Sequence, residues 1–198
     1  MDQETRAAYD RDAASFAADW NAQPTATDLQ AAVLKFFSPG PTADIGCDSG
    51  RDTAWLTQSG FAAIGFDYSE GILAEARRLH PGIEFRSAAL PELDGIADGS
   101  FANVLCETVI MHLEPAAIPA AVRRLLAILK SGGTLYLTWR VSDGAGSRDK
   151  HGRLYAAFDA AMVLNELKAV QLLLDEQGDS ASSGKLIRRV VVRKNVAS

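Results

Sequence analysis

The sequence predicts an α/β fold, a doubly wound, mostly parallel sheet with helices on both faces. Three observations predict it. Short apolar runs alternate with amphipathic helical stretches over residues 42–140, the pattern of a parallel sheet covered on each side. The first of those runs, ending at Ile45, enters a glycine turn, Gly46-Cys47-Asp48-Ser49-Gly50, and a helix follows at once. The second run ends in an acid, Asp67.

Composition allows such a fold and narrows the partners. A chain of 198 residues is long enough to bury a substantial core and reads as one domain. Hydrophobic residues make up 47% and charged residues 23%, ordinary globular values. A net charge of −5 argues against a nucleic-acid-binding protein. No apolar run reaches the length of a membrane span, and the acidic start, Met1-Asp2-Gln3-Glu4, is unlike a targeting peptide. Cys47 and Cys106 cannot form a disulfide framework or a four-ligand metal site by themselves. The expected location is cytoplasmic. No metal is expected, and the oligomeric state is left open.

The elements follow in order. Residues 3–20 read as a helix with Tyr9, Phe16 and Trp20 among alanines. Pro24 breaks it, and Thr27 is placed to cap a second helix carrying Leu29, Val33, Leu34, Phe36 and Phe37. Ser38-Pro39-Gly40-Pro41 ends that helix. The first strand is Thr42 to Ile45. Asp52 is placed to cap the helix that runs to Ser59, and Gly60 is its stop. Phe61 to Asp67 is the second strand. Asp67 lies 21 residues beyond Gly46, the offset at which an acid meets the hydroxyls of an adenosine ribose. The alternative is a cap on the next helix, for which Ser69 is the better candidate.

That helix stops at His80-Pro81-Gly82, and Ile83 to Arg86 is a third strand. Phe101 to Glu107 is the fourth. Pro115 to Leu129 is an amphipathic helix with Pro in its first turn. Lys130-Ser131-Gly132-Gly133 is a turn, and Thr134 to Arg140 the fifth strand. Ser142 to Gly152 reads as a solvated loop or a flap. A helix is expected through Arg153, Leu154, Phe158, Met162 and Leu167. A hairpin closes the chain, Val170–Leu174 and Leu186–Val192 joined by the serine-rich Gly178 to Gly184. Arg188, Arg189, Arg193 and Lys194 read as an edge-strand guard rather than a nucleic-acid patch.

Asp44-Ile45-Gly46-Cys47-Asp48-Ser49-Gly50 resembles motif I of the class I S-adenosylmethionine-dependent methyltransferases. Asp44, Gly46 and Gly50 match, and Asp48 stands where the family has its middle glycine. The resemblance covers about residues 5 to 193 and is specific in motif I, Asp67 and Gly132-Gly133. It implies a Rossmann-like sheet of seven strands with an antiparallel last strand, in a single methyltransferase domain over 1–198. Within it, 1–38 would be N-terminal helices forming a lid, 42–140 the cofactor-binding core, and 141–198 a C-terminal helix and hairpin.

The cofactor implied is S-adenosylmethionine, and the partner a small-molecule methyl acceptor. The cofactor-binding residues implied are Tyr9, Asp44, Gly46, Cys47, Asp48, Ser49, Gly50, Arg51, Asp67, Tyr68, Ser87, Ala88, Ala89, Leu90 and Glu107. Tyr9 also fits a plain core stripe. The family usually has an Asp near the start of the adenine segment, where this chain has Arg86 or Ser87. His112 is the candidate general base, because its ordinary pKa lies near neutrality; a structural histidine is the alternative. Alignment of donor and acceptor would supply up to about 7–11 kcal/mol of the barrier reduction.

Two other readings compete. A nicotinamide-dependent oxidoreductase needs glycines at the first, third and sixth turn positions, and Asp48 and Arg51 fill two of them. A non-catalytic relative that binds an adenosyl ligand and acts through a partner is motivated by Asp48.

Overall fold

Strands that are apolar on both faces need a helix over each face, and the chain supplies them in turn. The computed structural model describes residues 2–142 and 144–196. The helices are α1 (Gln3–Arg11), α2 (Ala13–Asn21), α3 (Thr27–Phe36), α4 (Arg51–Gln58), α5 (Glu70–Leu79), α6 (Ile118–Ala127) and α7 (Ala161–Leu164). The strands are β1 (Pro41–Ile45), β2 (Ala62–Asp67), β3 (Glu84–Ser87), β4 (Phe101–Cys106), β5 (Leu129–Arg140), β6 (Ser147–Arg148), β7 (Leu154–Tyr155), β8 (Gln171–Asp179) and β9 (Leu186–Arg193).

Seven strands form one sheet in the order β3-β2-β1-β4-β5-β9-β8. β1 to β5 pair in parallel, and β9 runs antiparallel to both neighbours, β5 and β8. The fold is the expected Rossmann-like sheet with an antiparallel last strand. Side chains alternate across the sheet and divide the core in two. Val104, Leu135 and Leu137 face Ile118, Val122 and Leu125 of α6. Leu105 and Tyr136 face Leu29 and Val33 of α3 and Leu56 of α4. The order reverses beside β1, so the crevice between the carboxyl ends of β1 and β4 is where such sheets bind ligands. No helix of the described residues is long and apolar enough to cross a membrane.

Several local expectations are corrected. The first helix is two, α1 and α2, divided at Asp12 (φ −115°, ψ 24°). Asp is a poor interior helix residue, and its carboxylate is engaged by Arg11 and lies 3.7 Å from His151 Nδ1. Neither Thr27 nor Asp52 is a cap. α3 follows Ala26 with no side-chain cap, and α4 follows Gly50 in the left-handed region (φ 82°) while Asp52 accepts from Arg51. Ser69 does cap α5, accepting from the N–H of Ile72.

The stretch from Pro115 begins as a 3-10 turn, becomes α6 only at Ile118, and ends before Leu129, which already belongs to β5. Lys130 to Gly133 is therefore a bend within β5 rather than a separate turn. Gly132 (φ 75°) makes it, and the pairing register with β4 shifts there. The helix expected from Arg153 to Leu167 is reduced to α7. Its first part is β7, because tertiary partners claim the backbone. Leu154 N–H donates to Thr5 Oγ1, Leu154 O accepts from His112, and Ala156 N–H donates to Met111 O. β7 pairs with β6, so the 142–152 segment, apart from Asp143, which lies outside the described residues, is half of a small hairpin.

Candidate active site

The site begins where β1 gives out. Gly46 and Cys47 both donate their N–H to Phe66 O, at 2.7 and 3.0 Å, and so tie the turn to β2. Gly46 has φ 75°, and a Cβ on it would lie 2.3 Å from Val109 Cγ2, so only glycine fits. Asp48 sits at φ 49°, a region that Asp tolerates better than most residues. Its carboxylate accepts from Ser49 N–H at 2.5 Å. Burial and the neighbouring Asp67 push its pKa up to about 6.

Asp67 closes β2 beside this turn. One carboxylate oxygen accepts from Asp48 N–H at 3.1 Å and the other from Ser69 N–H at 3.0 Å. A carboxylate has about four lone-pair sites, so each oxygen keeps a position for a further donor. Burial raises its pKa. Asp44 lies behind the turn, fully enclosed, and accepts from Thr53 Oγ1 at 2.6 Å; burial lifts it to about 8.

Two adjoining cavities meet at this corner. The first, about 60 Å³, is lined by Tyr9, Gly46, Asp48, Asp67, Tyr68, Ala88, Leu90 and His112 among the residues expected from the sequence. The second, about 340 Å³, shares Tyr9, Gly46, Asp48 and His112 and adds Glu107. Glu107 accepts from Thr138 Oγ1 at 2.6 Å, and burial raises it to about 7.

The roof comes from both ends of the chain. Thr5, Arg6 and Tyr9 of α1 cover the first cavity, and Arg148 ties that helix to the β6–β7 hairpin through Asp2 at 2.8 Å and Glu4 at 3.2 Å. Arg153 donates to Tyr9 Oη at 3.2 Å and pairs with Asp149 at 2.7 Å. His112 Nδ1 lies 2.5 Å from Leu154 O. A carbonyl only accepts, so Nδ1 carries the hydrogen and Nε2 the lone pair. Burial lowers the imidazole pKa to about 4, and Arg153 and Arg140 add to that.

Several expected residues stand back from both cavities. Cys47 turns into a core with Leu73 and Phe85. Ser49 Oγ accepts from Asn21, and Arg51 lies over the Trp20 ring at 4.6 Å while bonding Asp52. Gly50 backs onto Phe85, which a Cβ there would meet at 2.6 Å. Ser87 points to solvent, and neither it nor Ala89 lines the crevice. Asp44 acts through Thr53. Of these, Cys47, Ser49 and Gly50 belong to the turn itself, and none of them lines either cavity.

Sequence reasoning missed Arg6, Met111, Arg140, Arg153 and Tyr155, which line the cavities. Arg140, at the carboxyl end of β5, was readable as an edge residue. Arg153 and Tyr155 were hidden by the helix expected there.

In open α/β sheets, a glycine turn at the reversal point with an acid on the next strand is an arrangement that accommodates nucleotide-type ligands. Residues 43–133 match the family described as a methyltransferase domain. Over 132 residues the chain is 35% identical to trans-aconitate 2-methyltransferase of Methylobacterium nodulans, covering 64% of this chain and 48% of that protein. Over 100 residues it is 32% identical to ubiquinone biosynthesis O-methyltransferase of Methylococcus capsulatus, covering 48% and 41%. The chain thus spans about half the length, or less, of these curated relatives.

Among solved structures, it resembles 1,6-didemethyltoxoflavin-N1-methyltransferase of Burkholderia thailandensis, whose crystals hold 1,6-didemethyltoxoflavin and S-adenosylhomocysteine. The TM-score is 0.73 at 21% identity, covering 97% of this chain and 88% of that one. A methyltransferase of Methanosarcina mazei gives 0.73 at 16% identity, covering 84% and 98%. Residues 43–133 are thus similar to a methyltransferase domain, and the chain as a whole shares the fold of these methyltransferase structures.

Proposed function

We propose that this protein is an S-adenosylmethionine-dependent methyltransferase that acts on a small-molecule acceptor and releases S-adenosylhomocysteine. One observation carries the reading. Asp67 is held at the end of β2 by two backbone N–H groups, with a lone-pair position left on each oxygen, beside a turn that only glycine can make at Gly46. That arrangement fits the two ribose hydroxyls of an adenosyl group.

The other roles follow from placement. Ala88 and Leu90 offer an apolar wall for the adenine. Asp48 faces both cavities and fits the ammonium of the methionine end. Tyr9 and the rest of α1 close over the site, and residues 1–38, 42–140 and 141–198 divide as lid, cofactor core and acceptor side. When bound, S-adenosylmethionine supplies a methyl group on a sulfonium, whose departing sulfur keeps the C–S electron pair. The protein's task is alignment and exclusion of water. His112, neutral at physiological pH, is a weak base. Its role is to accept a hydrogen bond from the acceptor and orient it.

The acceptor cavity of about 340 Å³ supports a small molecule, as do the names of the trans-aconitate and didemethyltoxoflavin enzymes. A net charge of −5 disfavours nucleic acid, and two buried free cysteines support a cytoplasmic location. Calorimetric titration with S-adenosylmethionine, S-adenosylhomocysteine and NAD tests the reading. Binding of the first two and not of NAD is expected; no heat from either at millimolar ligand overturns it. A metabolite screen with radiolabelled methyl donor then identifies the acceptor.

A further inference from the structure

Arg140 is the last residue of β5 and stands at the carboxyl edge of the sheet. Its Nε is shut away from solvent and, among the described residues, meets no hydrogen-bond acceptor. Among the described residues the guanidinium forms no ion pair, and its one strong contact is the face of Tyr155, 4.9 Å from the ring centroid. The neighbouring and comparably enclosed arginines are satisfied. Arg153 holds Asp149 and Tyr9, and Arg189 holds Asp28, Glu176 and Tyr136. A buried donor left without an acceptor is costly, more so when it is charged, and a cation–π contact is the lesser compensation.

The cavity of about 340 Å³ carries both signs of charge, with Asp48 of the glycine turn and Glu107 after β4 on its wall together with Arg140, Lys150 and Arg153. Past His112 the crevice opens into a further cavity of about 490 Å³, lined by Arg140, Arg153 and Lys185. Among the described residues its one carboxylate, Asp149, is already spent on Arg153. Tyr155 lines both cavities: its ring takes Arg140 on one face and meets His112 edge-on at 4.9 Å.

We propose that the methyl acceptor carries a carboxylate and that Arg140 anchors it where the two larger cavities adjoin. The guanidinium fork presents two parallel N–H groups to a carboxylate, a match that neither an amide nor a neutral ring reproduces. The anchored molecule lies along Tyr155 with its reacting end near His112 Nε2. Arg140 thereby sets acceptor specificity. This inference rests on the methyltransferase reading for the identity of the bound molecule as the acceptor.

The test uses the full chain and pairs of probes equal in shape but different in charge: glutarate against glutaramide, and benzoate against benzamide. Sulfate and inorganic phosphate, at matched ionic strength, separate a carboxylate site from a general anion site. Binding is read by calorimetry and thermal shift, with and without S-adenosylhomocysteine. At least one carboxylate is expected to bind saturably and its amide not. Arg140→Gln is expected to weaken that binding by about tenfold or more while S-adenosylhomocysteine still binds. Arg140→Lys, which keeps the charge and loses the fork, should fall between, and it carries the test if Arg140→Gln does not fold.

Equal binding of the amides, equal binding of sulfate and phosphate, no binding of either carboxylate, or an affinity unchanged in folded Arg140→Gln overturns the proposal. Arg140-dependent carboxylate binding in a protein that ignores S-adenosylmethionine and S-adenosylhomocysteine would instead overturn the methyltransferase reading alone.

Discussion

Replacing Asp48 with asparagine separates what this residue costs the fold from what it gives the ligand. The site holds the carboxyl at about 6 instead of 3.8. At neutral pH the ionised group therefore costs the unliganded fold about 3 kcal/mol, an order-of-magnitude figure. The sign is that of a raised acid. The folded state binds the proton more tightly than the unfolded chain, so stability falls as pH rises from 3.8 to about 6 and stays lower above. Asp48→Asn keeps the left-handed backbone, since Asn tolerates it, and keeps an oxygen for Ser49 N–H. It removes the charge. The unliganded variant should melt higher than wild type at about pH 7 and gain little at about pH 4, by calorimetric scanning.

Ligand binding should run the other way. An ammonium beside Asp48 favours the ionised form, so wild-type affinity for S-adenosylhomocysteine should fall about tenfold, ~1.4 kcal/mol, between about pH 7 and pH 5. Asp48→Asn should bind more weakly at neutrality and lose most of this pH dependence. A variant that binds as well as wild type at neutral pH, or keeps the full pH slope, refutes the pairing. The slope would then belong to Asp67, the coupled carboxyl beside it.

Three further outcomes are expected. Asp67→Ala should weaken S-adenosylhomocysteine by about 1.5–3 kcal/mol, the worth of hydrogen bonds to a charged group; unchanged calorimetric affinity in a folded variant would remove Asp67 from the ribose site. Because burial holds His112 at about 4, the pH profile of kcat/KM should show no limb from this imidazole near neutrality; a limb between about pH 6 and 7 that disappears in His112→Gln would restore it as a general base. Lys194 Nζ donates to the carbonyls of Leu126 and Leu129 at 2.9 and 2.8 Å, closing the end of α6, so Lys194→Met should cost about 1.5–3 kcal/mol in denaturant unfolding; an unchanged midpoint would refute that cap.

Much of the site was legible in the sequence because its elements are local. The glycine at 46 and the acid at 67 follow from strand–turn–helix–strand spacing, which no distant residue alters. The left-handed backbone at Asp48 came from the structure, although Asp is one of the few residue types besides glycine that accept it. Ser69 was readable as a cap because capping involves neighbours three positions apart.

What the tertiary structure decided is everything that long-range contacts overrule. Leu154 and its neighbours carry apolar residues at helical spacing, yet β7 forms instead, because Thr5, Met111 and His112 take its backbone hydrogen-bonding groups. His112 looks like a base near neutrality in sequence, but burial under Leu154 fixes its tautomer and lowers its pKa. Cys47 sits inside the motif and Arg51 directly after it, yet the fold turns one into the core and lays the other on Trp20. Arg140 is an ordinary strand-end arginine until the fold encloses its Nε beside Tyr155, with no hydrogen-bond acceptor among the described residues. Local backbone preference set the cofactor turn; burial, which sums over the whole chain, set the charges that surround it.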